Sequence, residues 1–321
     1  MEVGSFIQLD LLNTKAYYTG SNVVQLNSAR AGIFHACTIY NVSKVYIPYY
    51  QCPSVSAFLK NKGIEIVYYH IDTNFKPLID KNETNSAFLL INYFGMLSAE
   101  YMQSMISNFE NVIIDNSPAF YSKPTSGCIS VYSTRKFFGV PDGSYVISDN
   151  QLSTPDYPQD ASSDTAAFLL KRIEKGCQAV YAERMKNEER IDKSDIMLMS
   201  DLTKALLNNI NYHKIAKIRT QNFAFAHKLF KNINLINPVQ FINAECIPMV
   251  YPLVIQNLEI VKHLNDNKVY TGRWWNQVLK LVADDAFEAT LSKYMIPIPI
   301  DQRYSKTELN HVAQLIFNFI Q

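Results

Sequence analysis

Two residues that can do chemistry follow apolar, strand-like runs near the middle of the chain. Asp115 ends the run at 112–114, and a buried carboxylate stays ionised only where a cation or several donors meet it. Lys136 follows another such run and precedes two phenylalanines, which would desolvate its amine and free it for Schiff-base chemistry. Taken alone, Asp115 could simply start a turn and Lys136 could be a solvated loop charge.

A third feature is the cluster of small residues at 27–32, where the first helix is predicted to begin. Free amides at a helix start bind anions, and the small side chains of Ser28 and Ala31 would let a phosphate approach. The alternative is that Ser28 is an ordinary helix cap.

The composition excludes several classes of protein. The 321 residues carry 30 Lys+Arg against 29 Asp+Glu, so there is no basic surface for nucleic acid or for an anionic membrane. None of the ten glycines forms Gly-x-Gly, which excludes a dinucleotide fingerprint and a Walker loop. With 48% hydrophobic and 18% charged residues, we expect a soluble, core-rich globular protein.

The cysteines and histidines indicate a reduced, metal-free protein. Five scattered cysteines without Cys-x-x-Cys favour free thiols in the cytoplasm, and the six histidines show no metal-ligand spacing. Glu2 and Asp10 do not fit the basic-then-apolar plan of a signal peptide, and no apolar run approaches the length of a membrane span. We therefore expect a cytoplasmic protein with no metal site.

The elements that must position these residues alternate between strands and helices. Apolar β-branched runs predict strands at 44–49, 64–70, 86–93, 111–115, 128–133 and 144–148, with helices at 30–41, 53–62 and 98–109. That alternation is typical of a mainly parallel sheet between helices. Later runs predict long helices over 165–230, strands near 247–255 and 295–300, a helix near 258–266, and a last helix opened by Ser305-x-x-Glu308. Ligands of such sheets bind beyond the carboxyl ends of the strands, where Asp115 and Lys136 are predicted to lie.

Together these residues resemble the fold-type I pyridoxal-phosphate enzymes, and among them the DegT-type (DegT/DnrJ/StrS) sugar aminotransferases. The resemblance runs over most of the chain, and its motifs are Ser28-Ala-Arg-Ala-Gly-Ile, Ile47-Pro-Tyr-Tyr-Gln-Cys-Pro53, Ile91-Asn-Tyr-Phe-Gly95, Ile114-Asp115, Lys136 with Asp142-Gly143, Arg219-x-x-Asn222 and Ile298-Pro-Ile-Asp-Gln-Arg-Tyr304. It implies an α/β fold of three layers, with a cofactor-binding large domain at 1–200. A smaller C-terminal α+β domain at 201–321 would include the bridging helix.

The resemblance also implies a cofactor, pyridoxal 5'-phosphate, and a role for each matching residue. Lys136 would bind the cofactor as a Schiff base and shuttle a proton, and Asp115 would keep the pyridine nitrogen protonated. The other cofactor-binding residues implied are Ser28, Arg30, Ala31, Tyr50, Cys52 and Ser133.

For the substrate, an arginine suits a carboxylate or a sugar-nucleotide phosphate, and Arg273, Trp275 and Arg303 are the candidates in the second domain. The alternatives are a core tryptophan and surface arginines. The resemblance implies an aminotransferase acting on a keto-sugar, nucleotide-linked, with glutamate as the amino donor. It further implies a homodimer, for which the polar stretch 149–164 is the candidate partner contribution.

Departures from the family's pattern keep other functions open. The position three residues after Asp115, where the family often has Gln or His, is Pro118, and the stacking position on the cofactor ring is Cys52. The family's phosphate-binding serine is replaced by Val131, although Ser133 stands where other fold-type I enzymes place theirs. Another pyridoxal-phosphate reaction (dehydratase, lyase or amino-acid transferase) and a noncatalytic relative therefore remain as alternatives.

Overall fold

The computed structural model describes residues 9, 11–12, 15–153 and 156–320, and a seven-stranded sheet lies at its centre. The strands are β1 (Val23–Leu26), β2 (Lys44–Pro48), β3 (Glu65–Tyr69), β4 (Ala87–Ile91), β5 (Val112–Asp115), β6 (Ile129–Ser133) and β7 (Ser144–Ile147). Their spatial order is β1-β7-β6-β5-β4-β2-β3. Strand β7 is antiparallel to both of its neighbours, and the other adjacent pairs are parallel. Glu2 and Asp10, used above against a signal peptide, lie outside the described residues.

Helices cover both faces of this sheet. On one face, α1 (Ala29–Tyr40) and α2 (Pro53–Asn61) bury residues such as Ile33 and Leu59 against the strands. On the other face, α3 (Ala99–Ser104) contributes Met102 to a core that contains Phe88. Strands buried on both sides read as continuous apolar runs, and β4, β5 and β6 are buried along their full length.

Four helices follow the sheet. They are α4 (Ala167–Ala179), α5 (Tyr181–Lys193), α6 (Asp201–Leu207) and α7 (Tyr212–Phe230). The backbone of α4 leaves the helical region at Gly176, where φ is 76°. The predicted helical stretch 165–230 is therefore confirmed as helical, but in four pieces.

The last part of the chain builds a second, smaller core. Strand β8 (Val250–Val254) pairs antiparallel with β9 (Met295–Pro299), and α8 (Ile260–Asp266), α9 (Phe287–Tyr294) and α10 (Lys306–Ile320) complete it. Together with α7, strands β8 and β9 and helices α8 and α10 bury Phe230, Tyr251 and Ile316 in one cluster, whereas Leu291 of α9 joins the core of the large sheet. Because Val254 and Met295 also join the core of the large sheet, the two parts pack directly on each other. The domain boundary at 200/201 stays a prediction.

The predicted fold class is confirmed, since the structure is mixed α/β with a mainly parallel seven-stranded sheet. The predicted capping box also forms, because the Ser305 amide donates to the Glu308 carboxylate at 2.8 Å at the start of α10. Strand β1 and helix α9 were not predicted. The helix predicted over 98–109 ends at Ser104, and a turn then buries Met105 and Ile106 instead.

Among the helices that the structure describes, none combines the length and the apolar character needed to cross a bilayer. All five cysteines lie within the described ranges and are free.

Candidate active site

The strand register gathers the predicted site residues at one edge of the sheet. Asp115 at the end of β5 lies beside Val131 of β6, and Ser133 at the end of β6 lies opposite Ser144 of β7. Ser144 also pairs with Leu26, the last residue of β1, two residues before Ser28. The loops after β1, β5 and β6 therefore meet at the carboxyl ends of the parallel strands, where α/β sheets bind ligands.

Asp115 is a buried carboxylate with few partners. Its Oδ1 accepts a hydrogen bond from the Ser117 amide at 2.9 Å. Burial raises the pKa of Asp115, while the Ser117 hydrogen bonds and the positive charge of Lys136 lower it. Among the described residues, none forms an ion pair with the Asp115 carboxylate. The sequence predicts a cation opposite Asp115, and the only positive charge of a described residue that affects its pKa is that of Lys136.

Lys136 lies on the loop between β6 and β7, and its side chain is exposed. The expectation that aromatic residues enclose it is wrong, because Phe137 and Phe138 turn inward and pack into a core with Phe120. Packing of these rings fixes the backbone on which Lys136 stands and leaves the lysine facing outward. Burial raises the pKa of Glu188, a half-buried residue of α5. The positive charges of Arg135, Arg184 and Lys136 outweigh burial, so the pKa of Glu188 is lowered.

The lysine loop is closed at its base by hydrogen bonds of Thr134. The Thr134 amide donates to the Gly143 carbonyl at 3.1 Å, and its hydroxyl donates to the Asp142 carbonyl at 2.9 Å. Gly143 has φ 115°, and an added Cβ would lie 2.5 Å from the Thr134 hydroxyl, which explains a glycine here. The loop therefore has a tight, defined base.

Contacts from distant parts of the chain hold the lysine loop from outside. Arg135 forms an ion pair of 2.5 Å with Glu188, and the Gln302 side-chain amide donates to the Phe137 carbonyl at 2.9 Å. Arg219 of α7 is buried, with its guanidinium 4.5 Å from the centre of the Phe137 ring. The local sequence pattern does not predict these supporting roles, because nothing in it links residues so far apart.

The start of α1 is capped as the alternative interpretation expects. The Ser28 hydroxyl accepts from the Ala31 amide at 3.4 Å, and the Ser28 carbonyl accepts from the Gly32 amide at 3.0 Å. Gly32 allows close packing on the sheet, since an added Cβ would lie 2.8 Å from Val131. The loop after β6 lies beside this helix start, because the Gly143 amide donates to the Asn27 carbonyl at 2.8 Å.

Arg30 does not direct its side chain toward an open anion site. The guanidinium is buried, donates to the Asp192 carboxylate at 2.6 Å and to the Ile191 carbonyl, and lies 5.4 Å from the Phe58 ring centre. Only the backbone of Arg30 remains a candidate for phosphate binding.

The loop after β2 brings Tyr50 and Cys52 to the same sheet edge. Tyr50 is fully buried, its hydroxyl has no hydrogen-bond partner among the described residues, and burial raises its pKa. Cys52 is half-buried at the start of α2, with its Sγ 3.2 Å from the Ser54 hydroxyl. The Tyr93 hydroxyl donates to the Tyr50 carbonyl at 2.8 Å, which ties this loop to the one after β4.

Two of the three predicted substrate residues reach this edge. The Trp275 ring stands edge-on to Tyr50 with centroids 4.5 Å apart, and the neighbouring Gln277 donates to the Gln51 carbonyl at 3.0 Å. The Arg273 guanidinium donates to the Asn257 carbonyl at 2.7 Å, its Nη1 has no partner among the described residues, and burial lowers its pKa. Arg273 therefore has one buried guanidinium nitrogen without a partner among the described residues.

Arg303 is already paired. Its Nε and Nη2 donate to both oxygens of Asp301, at 2.7 and 2.8 Å. The guanidinium of Arg303, a predicted substrate residue, is therefore already paired with the Asp301 carboxylate. The loop that carries Arg303 still contacts the lysine loop, through Gln302.

The loop after β4 packs against the loop that follows Asp115. Gly95 has φ 73°, and an added Cβ would lie 2.3 Å from the Pro118 carbonyl oxygen. This contact requires a glycine and fixes Pro118, the residue that stands where the family often places a hydrogen-bonding side chain.

These residues fit pyridoxal phosphate. Burial raises the pKa of Asp115, because the described residues leave the negative charge of its carboxylate largely uncompensated. A protonated ring nitrogen beside Asp115 would compensate that charge. Lys136 is exposed one strand away, on a loop held at both ends. The start of α1 and Ser133, at the same edge, would bind the phosphate.

Comparison with protein-family models finds no match for this sequence, and comparison with curated proteins finds none either. Solved structures do resemble the fold. The sugar aminotransferase CalS13 from Micromonospora echinospora aligns over 92% of this chain and 86% of its own, with a TM-score of 0.62 and 15% identity.

Two further structures show the same likeness. Spr1654 from Streptococcus pneumoniae, in its PLP-form, aligns over 91% of this chain and 85% of its own, with a TM-score of 0.63 and 13% identity. A DegT DnrJ EryC1 StrS aminotransferase from Brucella abortus aligns over 92% and 85%, with a TM-score of 0.61 and 11% identity. The resemblance seen in the sequence motifs is therefore confirmed as a resemblance of fold over most of the chain.

Proposed function

We propose that this chain is a pyridoxal-phosphate-dependent aminotransferase that acts on a keto-sugar. The observation that carries the proposal is the placement of buried Asp115 at the end of β5 and of Lys136 just after β6, the neighbouring parallel strand. The fold in which this placement occurs is shared with solved sugar aminotransferases. Fold alone does not define activity, so the placement of these two residues at the same edge of the sheet is the stronger support.

Bound pyridoxal phosphate supplies an electron-withdrawing ring that stabilises negative charge on the substrate carbon. Asp115 would hold a proton at the ring nitrogen, because its buried carboxylate favours a cation beside it. Lys136 would hold the group through its Nζ, and the same amine would serve as the base and acid for the proton at the substrate carbon. The Arg30 amide at the start of α1, together with Ser28 and Ser133, would bind the phosphate, since the Ala31 amide already donates to the Ser28 hydroxyl.

The residues beside the Tyr50 loop support the proposed substrate and donor. Arg273 has one guanidinium nitrogen free of partners among the described residues and lies by the loop of Tyr50, which suits a carboxylate or a nucleotide phosphate. We assign a nucleotide-linked keto-sugar as acceptor and glutamate as donor, with Trp275 forming an apolar wall. Arg303 contributes to the shape of the site through its loop rather than through its paired guanidinium.

The proposal includes a homodimer in the cytoplasm. Large apolar side chains are exposed on α4 and α5 beside the lysine loop, namely Leu170, Ile173, Tyr181 and Met185, and burial of such a surface would stabilise association. The candidate partner stretch 149–164 is partly engaged within its own chain, since Asp160 and Ser162 are buried there.

A different pyridoxal-phosphate reaction is the second candidate, and the loop after Asp115 favours it. Pro118 offers no side-chain donor, and its packing against Gly95 leaves no room for the loop to move closer. A site lacking this contact to the ring could direct the chemistry toward a lyase or dehydratase.

The attachment of the cofactor tests the proposal directly. Protein incubated with pyridoxal phosphate is reduced with borohydride, digested and mapped by mass spectrometry. We expect the pyridoxyl group on Lys136. Lys123, which is exposed and paired with Glu245, serves as the internal control for nonspecific labelling. Label on Lys123 or on another lysine at the level of Lys136 would contradict the assignment.

A further inference from the structure

A buried carboxylate lies at the base of the lysine loop without a close partner. Asp142 directly precedes Gly143, where the loop returns to β7, and its side chain is fully buried. Neither carboxylate oxygen accepts a hydrogen bond from the described residues. The nearest cation is Arg190 of α5, whose Nη2 lies 3.9 Å from Oδ2. An ionised carboxylate in such surroundings is costly.

A second buried carboxylate shares the same arginine. Asp160, in the segment before α4, accepts from the Nη1 of Arg190 at 2.7 Å, and its other oxygen has no partner among the described residues. Two carboxylates thus face one guanidinium. If both were ionised, the group would carry one uncompensated negative charge in a dry environment.

The other groups around Asp142 are uncharged. Ser200 and Thr203 come from the start of α6, and the Thr203 hydroxyl also lacks a partner among the described residues. Burial is the main cause that raises the pKa of Asp142, and the charge of Asp160 raises it further. Ser200 and Thr203 oppose that effect, although neither hydroxyl reaches hydrogen-bonding geometry with the carboxylate.

We propose that Asp142 and Asp160 share one proton, carried by Asp142, and that the resulting neutral group with Arg190 positions the loop of Lys136. The proton lets Asp142 donate to the free oxygen of Asp160, which gives partners to two atoms that otherwise have none. The group then contains one carboxylate, one carboxylic acid and one guanidinium. Asp142 is a positioning residue, and this role rests on the proposed function of Lys136.

The connection to Lys136 runs through the backbone of the loop. The carbonyl of Asp142 accepts from the Thr134 hydroxyl at 2.9 Å, two residues before Lys136. On α5, Asn187 donates to the Pro141 carbonyl at 2.8 Å, one turn before Arg190. Loss of the shared proton would place two negative charges side by side and push the base of the loop away from the segment that carries Asp160.

The proton predicts a specific dependence of stability on pH. The folded state holds a proton on Asp142 that the unfolded state releases near pH 4. Stability is therefore full below that pH and falls as pH rises toward the raised pKa. Within this window, the unfolding equilibrium constant should rise by up to about tenfold per pH unit.

The experiment measures urea unfolding of the chain without added cofactor over a series of pH values. In the Asp142→Asn variant the amide donates to Asp160 at every pH, so we expect this one-proton slope to disappear. The matched control is Asp201→Asn, at an exposed carboxylate on α6, which should keep the slope. A slope that persists unchanged in Asp142→Asn would overturn the shared proton. If Asp142→Asn does not fold, the Asp160→Asn variant must lose the slope instead. Without the Asp160 carboxylate, Arg190 can pair with an ionised Asp142, which then no longer needs the proton.

The positioning role has its own readout. Borohydride labelling with pyridoxal phosphate gives the ratio of label on Lys136 to label on exposed Lys123. We expect this ratio to fall with rising pH in the parent protein and to hold in Asp142→Asn. An equal fall in both would overturn the positioning role. Absence of label from Lys136 in every variant would overturn the proposed function and with it the positioning role, while the unfolding slope would still report the shared proton.

Discussion

The guanidinium of Arg219 lies 4.5 Å from the ring centre of Phe137, the residue that follows Lys136. The same side chain donates to the Met249 carbonyl at 2.9 Å, close to the start of β8. One buried arginine therefore joins the bridging helix α7, the smaller sheet and the lysine loop. Burial lowers its pKa to about 10, so it remains charged at neutral pH.

Truncation of Arg219 should destabilise the protein. Arg219→Ala leaves a cavity over Phe137 and removes the donor to the Met249 carbonyl, and we expect a loss of about 2–4 kcal/mol in the free energy of unfolding. Lys217→Ala, on an exposed position of the same helix, should change it by less than about 0.5 kcal/mol. Urea denaturation measures both variants. Equal midpoints for the two would show that Arg219 does not hold the loop.

The contact between Gly95 and Pro118 gives a second prediction with a matched control. Gly95→Ala places a methyl group 2.3 Å from the Pro118 carbonyl at φ 73°, whereas Gly127→Ala has φ 76° with nothing within 4 Å. The backbone penalty of about 1–2 kcal/mol applies to both. The clash adds about 1–3 kcal/mol at Gly95 alone. Thermal or urea unfolding measures the stability of both variants. An equal loss in the free energy of unfolding would contradict the close approach of these loops.

The strand-end position of Asp115 could be predicted from sequence, because a carboxylate closing an apolar run is a local signal. The orientation of Lys136 could not. Its exposure depends on Phe137 and Phe138 turning inward, and Arg219 and Gln302, far along the chain, hold that arrangement.

Arginines were the least predictable part of the site for the same reason. Arg30 is bound by Asp192 and Arg303 by Asp301, and residue type alone does not say whether a guanidinium is already paired. The strands and the fold class were predictable because burial on both faces imposes long apolar runs. Strand β1 lies at the edge of the sheet and alternates half-buried with buried positions, so it lacks the continuous apolar run by which the equally short β5 was recognised.

Asp115→Asn should separate folding from activity. The amide oxygen can still accept from the Ser117 amide, and burial of a neutral group is less costly, so we expect no loss in the free energy of unfolding at neutral pH. Turnover should fall about 10²–10³-fold, since the amide cannot hold a proton at the ring nitrogen by charge. Asp80→Asn, at an exposed position, is the control and should change neither quantity. Unchanged turnover in Asp115→Asn would refute the role of Asp115.

Pro118 bears on the rate of the reaction. The missing hydrogen bond to the ring should slow amino transfer by the equivalent of roughly 0.5–3 kcal/mol without abolishing it. Pro118→Gln restores a donor at this position, and we expect a faster single-turnover rate with glutamate. A rate lower than that of the parent, with unchanged unfolding, would indicate that Pro118 belongs to a different chemistry.

The most direct test of the central claim is the absorbance spectrum of the protein loaded with pyridoxal phosphate, recorded before and after addition of glutamate with no acceptor present. An aminotransferase needs only the donor for its first half-reaction, so we predict conversion of the bound cofactor to its pyridoxamine form, and loss of this conversion in Lys136→Ala. A spectrum that stays unchanged with glutamate, glutamine, aspartate, alanine and an amino-sugar nucleotide, while the cofactor is bound stoichiometrically through Lys136, would contradict the assignment as an aminotransferase.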